Sequence, residues 1–111
     1  MLFEIKTDNG VYPLEFCLTC AACPEQYDVF SMSGERIGYV RLRWGLLRAD
    51  CPLDDNLTVY SHSFEDDYKG NFDSDNERNR YLRKIAKALV NHCEKEEIFC
   101  SNDIREESIY E

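Results

Sequence analysis

The sequence predicts an α+β fold: an antiparallel sheet of about four to five strands, with one long C-terminal helix packed on one of its faces. Three observations carry that expectation. Ile37 to Leu47 (IGYVRLRWGLL) alternates apolar Val40, Leu42, Trp44 and Leu46 with Tyr39, Arg41 and Arg43, the two-residue period of a half-buried strand. A capping-box pattern, Ser74 followed three residues later by Glu77, opens a stretch with helical periodicity to about Lys95. The strand-like segments all precede that helix, so the chain reads as a run of antiparallel strands and then one helix.

In order along the chain, Leu2 to Lys6 alternates apolar and charged residues and Asp8-Asn9-Gly10 marks a turn, so a first hairpin is expected. Tyr12 to Thr19 continues as a strand, with Pro13 near its start, where a missing N–H does least harm. Tyr27 to Met32 follows, and Ser33-Gly34 reads as a tight turn into the Ile37–Leu47 strand, which is expected to be central and to bury Trp44, the only tryptophan. Leu57 to Phe64 is rich in β-branched and aromatic residues and is expected to be a last strand antiparallel to the central one. Glu65 to Asn76 reads as a solvated acidic loop. On the helix, Leu82, Ile85, Ala86, Leu89 and Cys93 share one side with Val90 at its border, and that side is the expected sheet contact. Residues 1–97 then form a single domain, and residues 98–111 an acidic tail or a short docking element.

A chain of 111 residues has room for one core, and 43% hydrophobic with 13% aromatic content is enough to pack it. The first residues carry an acid and a lysine within six positions, and no run of about 18 apolar residues occurs anywhere. The expectation is a cytoplasmic protein with no membrane contact, whose six cysteines are thiols. The net charge of -9 argues against direct nucleic-acid binding and for a basic partner.

Two patterns could carry function. Cys17, Cys20 and Cys23 stand at C-x-x-C-x-x-C spacing, so a turn could bring three thiolates onto one soft ion, with Cys51, His62 or Cys100 as the fourth ligand of a zinc site. The alternative is that a strand buries some of these thiols as small apolar groups and that no cofactor is bound. His62 and His92 have no nucleophile and acid in a recognisable order, so no hydrolytic triad and no enzyme are expected.

The second pattern is charge. Arg36 to Arg48 holds four arginines and no acid, and Arg78 to Lys87 five cations and no acid. The acids concentrate in Asp54 to Glu77, net -7, and in Glu94 to Glu111, net -5. Along the helix, Arg80 with Lys84 and Arg83 with Lys87 are like-charge pairs, each costing about 0.2–0.5 kcal/mol, while Glu94, Glu96 and Glu97 crowd the end where the macrodipole favours cations. One reading is internal compensation, with the acidic loop folded back on the basic ridge and the tail on the arginine row. The other is a recognition surface in which Asp54, Asp55, Glu65, Asp66, Asp67, Asp73, Asp75, Glu94, Glu96 and Glu97 occupy a basic, nucleic-acid-binding surface of a larger protein. The sequence leaves the oligomeric state open.

Pro24 to Phe30 (PEQYDVF) and Gly38 to Gly45 (GYVRLRWG) resemble short uncharacterised prokaryotic proteins with the same hairpin. That resemblance implies a hairpin and no site residue. Small size, acidity and the lack of a catalytic motif also resemble, in kind, the accessory proteins of phages and mobile elements, including anti-CRISPR inhibitors. That likeness implies an inhibitor that acts by binding.

Overall fold

A computed structural model describes residues 1–21 and 24–106. It is α+β, with six antiparallel strands in sequential order, curled into a half-barrel, and one long helix. The strands are β1 (Leu2–Thr7), β2 (Gly10–Cys20), β3 (Glu25–Phe30), β4 (Arg36–Arg43), β5 (Leu46–Cys51) and β6 (Leu57–Ser63), and the helix is α1 (Asp75–Lys95).

The count exceeds the expected four to five because Ile37–Leu47 is two strands. Trp44 and Gly45 form a two-residue turn with φ of 53° and 73°, and Arg43 pairs with Leu46 across it. Trp44 is therefore 64% exposed, against the expected burial, and Leu46 is exposed too. The buried set shifts phase at the turn, from Val40 and Leu42 on β4 to Leu47, Ala49 and Cys51 on β5. A consequence is that β6 pairs with β5 and not with β4.

The helix spans Asp75 to Lys95 as its periodicity predicts. The Ser74 hydroxyl accepts from the Glu77 N–H at 3.0 Å, which satisfies one orphan donor of the first turn, and the Glu77 carboxylate accepts from the N–H of Asp73, the residue before the cap, at 2.8 Å. Tyr81, Leu82, Ile85, Ala86, Leu89, Val90 and Cys93 are buried on its inner side. They pack across the hollow of the sheet, touching β1, β4 and β6. Full burial of each large aliphatic side chain contributes about 1.5–3 kcal/mol. Gly38 on β4 permits the closest approach, since a Cβ there would lie 2.7 Å from Leu89 Cδ1.

The segment Glu65–Asn76 is only partly the solvated loop expected. Lys69, Gly70 and Phe72 are buried, and Lys69 bridges Asp73 at 2.8 Å and Glu77 at 3.0 Å. Beyond the helix the chain docks as far as Arg105: Phe99 stacks on Tyr12 with ring centroids 4.3 Å apart, and Arg105 forms a backbone bridge to Val11. The Asp103 carboxylate is buried there, accepting from Ser33 and from the Cys100 N–H. Burial alone would raise its pKa, but those donors outweigh it and hold the group at about 2.

Candidate functional site

The ten acids proposed as a recognition surface divide between the two ends of α1. At the far end, α1 finishes beside the Pro52–Asp54 turn and the β1–β2 hairpin. His92 Nε2 lies 2.8 Å from Asp54 Oδ2, which ties the turn to the helix one turn before Glu96. Glu94 Oε2 accepts from Asn9 Nδ2 at 2.8 Å, Tyr12 OH at 3.0 Å and Thr7 Oγ1 at 3.1 Å. All three donors are neutral, so the carboxylate is fixed in place while its charge is left uncancelled. The Asn9 bond, with those of Tyr12 and Thr7, lowers the Glu94 pKa against the opposing effect of burial. In return, burial and then Glu94 push the Tyr12 hydroxyl up to about 12.

Asp55, Glu96 and Glu97 are exposed at the same end. Asp55 and Glu97 both have left-handed backbones, φ 54° and 58°. Glu97 occupies the position just past the helix where glycine is usual, and Ile98 N–H returns to the Cys93 carbonyl at 2.8 Å to close the end. Stability alone would favour glycine at 97 and a cation at 96. Asp54, Asp55, Glu94, Glu96 and Glu97 thus gather at a helix end whose last turn carries, among the described residues, one lysine, Lys95, beside His92.

At the opposite end, internal compensation goes further. Asp75 pairs with Arg78 at 2.6 Å, and Asp73 with Lys69. Glu65, Asp66 and Asp67 form no ion pair with the described residues; the Asp66 carboxylate accepts from the Tyr68 N–H at 2.9 Å, and its carbonyl from the Lys69 N–H at 3.1 Å. They flank the Trp44-Gly45 turn, which is clamped by the Gly45 N–H to the Lys69 carbonyl at 2.9 Å and by Phe64 N–H to the Gly45 carbonyl at 2.7 Å. Sequence reasoning missed the aromatic surface this creates. Tyr68, 79% exposed, packs edge-on to Trp44 at 6.4 Å between centroids, and Pro24, Arg43, Trp44 and Tyr68 line a groove of about 370 Å³.

The cations follow neither reading completely. Arg36 pairs with Asp28 at 2.9 Å and Arg48 with Asp50 at 3.4 Å, while Arg41 and Arg43 have no ion pair among the described residues. On the helix, Arg80 and Lys84 both lie over the Tyr81 ring, at 4.9 and 5.2 Å, and Arg83 over Phe3 at 5.2 Å. Those aromatic faces give the like-charged ridge a favourable contact in place of carboxylates.

Cys17 is exposed and Cys20 half-buried on β2, with a register shift between Leu18 and Cys20; Cys23 lies outside the described residues. Among the described residues no group of three or more His, Cys, Asp or Glu side chains is placed to hold a metal ion. Of the other proposed ligands, Cys51 is buried against Cys93, whose thiol burial pushes well up, and His62 is packed between Phe64 and Tyr81. No described helix is long and apolar enough to cross a membrane. No protein-family model matches the chain, and comparison with curated proteins and with solved structures returns no match.

Proposed function

We propose that the protein is a non-enzymatic binding module whose acidic end, Asp54, Asp55, Glu94, Glu96 and Glu97, occupies a basic, nucleic-acid-binding surface of a larger protein. One observation carries this reading: Glu94 is positioned by three neutral donors, Thr7, Asn9 and Tyr12, which order the carboxylate and leave its charge for a partner. Ordered carboxylates on a helix end and adjoining turns can imitate a run of phosphates and steer association through complementary potential. An inhibitor encoded on a phage or mobile element is the most specific form of the proposal.

The test uses a lysine- and arginine-rich peptide from a nucleic-acid-binding groove as probe, with affinity read by fluorescence anisotropy. Binding should weaken steeply as the Debye length shrinks from about 10 Å to about 3 Å between 0.1 and 1 M salt. Glu94→Gln combined with Glu96→Lys and Glu97→Lys should lower affinity about a hundredfold, roughly a tenfold loss for each 1.4 kcal/mol removed. Affinity indifferent to both salt and these substitutions would sink the proposal.

A further inference from the structure

The Trp44 end is built differently from the acidic end, and it breaks three local preferences at once. A bulky aromatic occupies a left-handed position, φ 53°, in a two-residue turn that asparagine or glycine would fill without strain. The same residue is the chain's only tryptophan and is left 64% exposed beside the exposed Tyr68 and Leu46. Finally, Arg41 and Arg48 stand directly opposite each other on β4 and β5, a like-charge cross-strand pair, with Arg43 next along the row. Exposed Trp and Tyr bordered by arginine is the composition of an interface centre.

The arrangement of charge about that centre identifies the occupant. Arg41, Arg43 and Arg48 line a groove with Trp44 and Leu46 on the outer sheet face. On the other flank, the loop carrying Glu65, Asp66 and Asp67 is locked to the turn, with the Asp66 carbonyl 2.5 Å from where a Gly45 Cβ would lie. A nucleic acid laid on the arginines would meet repulsion from the carboxylates, and a cationic peptide on the carboxylates would meet it from the arginines. A surface positive on one side of an aromatic centre and negative on the other is complementary to itself under a two-fold rotation. We infer that the occupant is a second copy of this chain: the two Trp44 rings meet near the axis, and the arginine row of each copy faces Glu65, Asp66 and Asp67 of the other. This interface uses none of the acidic-end residues, so the two proposals stand or fall separately.

Sedimentation velocity on the full chain tests it. The wild type should dimerise in low salt at about 100 µM or below and dissociate as salt rises. Trp44→Ala should weaken self-association at least about tenfold while far-UV circular dichroism and the thermal midpoint show the fold intact. The charge variants decide between a second copy and any other occupant. Arg41→Glu with Arg43→Glu should be monomeric, since both contacts become acid against acid, and Asp66→Lys with Asp67→Lys should be monomeric for the opposite reason. An equimolar mixture should restore a dimer, because each contact then joins opposite charges. A wild type that stays monomeric at that concentration in low salt, or folded variants whose mixture stays monomeric, would overturn the inference.

Discussion

Replacing Glu25 with alanine is expected to lower stability by about 3–5 kcal/mol, the cost of breaking a buried ion pair from one side. Glu25 is 2% exposed at the start of β3. Its carboxylate accepts from Arg78 Nε at 2.7 Å, from the Phe72 N–H at 3.1 Å and from the Tyr27 hydroxyl, while its own N–H bonds the Gly70 carbonyl at 2.8 Å. One side chain thus fastens the first turn of α1 and the Lys69–Phe72 loop to the sheet. Alanine leaves a phenol and an amide without this acceptor, and the half-buried guanidinium with only the exposed Asp75. In urea the midpoint should fall by about 2 M at a slope of about 1–3 kcal/mol per M. A loss below about 1 kcal/mol would show that the network is not what holds this end.

The same carboxylate sets an acid limit. Burial raises its pKa, but the bonds from Arg78, Tyr27 and the Phe72 N–H outweigh burial and the pKa ends below the ordinary value. A folded-state pKa below the unfolded one means stability that is fully present above the unfolded pKa, about 4.3 for glutamate, and lost as pH falls through the folded value. Asp103, held at about 2, acts in the same sense. The urea midpoint should therefore be flat from neutrality to about pH 5 and fall between about pH 4 and 2. Glu25→Gln should start lower and fall less steeply, because only the Asp103 contribution of the two is left.

How far the fold could be read from the sequence depended on how local its determinants are. The helix bounds were legible because the Ser74 cap and the spacing of Leu82, Ile85, Leu89 and Cys93 are properties of neighbours in the chain. The Ile37–Leu47 segment misled for a physical reason. Trp44 and Leu46 prolong the even-numbered apolar alternation of Val40 and Leu42, so a turn looks like more strand. The signal lay in Gly45 and in the Leu46-Leu47 doublet, where the buried set moves to odd positions. Glu25 was illegible as a structural anchor, since its partner Arg78 lies 53 residues away.

The candidate site divided in the same way. That acids outnumber cations in Asp54–Glu77 and after Glu94 is composition, visible at once. That Asp54 reaches His92, and that Thr7, Asn9 and Tyr12 converge on Glu94, requires the strands to curl and bring the β1–β2 hairpin and the mid-chain Pro52–Asp54 turn to the helix terminus. Equally, no count of charges shows that Asp73 and Asp75 are taken up by Lys69 and Arg78 while Glu65, Asp66 and Asp67 are not.

The seat of α1 on the sheet, which delivers Glu94, Glu96 and Glu97 to the acidic end, should show itself as an energetic coupling between Gly38 and Leu89. Leu89 is fully buried, so Leu89→Ala opens a cavity and should cost about 2–5 kcal/mol. Gly38→Ala drives a Cβ to 2.7 Å from Leu89 Cδ1 and 3.1 Å from Val29 Cβ, and should cost about 1–3 kcal/mol by overpacking. In the double variant the new methyl enters space that the leucine has vacated, which relieves the shorter of the two contacts and fills part of the cavity. Its cost should fall short of the sum of the single costs by about 0.5–3 kcal/mol. Strict additivity in urea unfolding would mean that helix and sheet do not meet at Gly38, and the acidic end would then lose the support that places its carboxylates together.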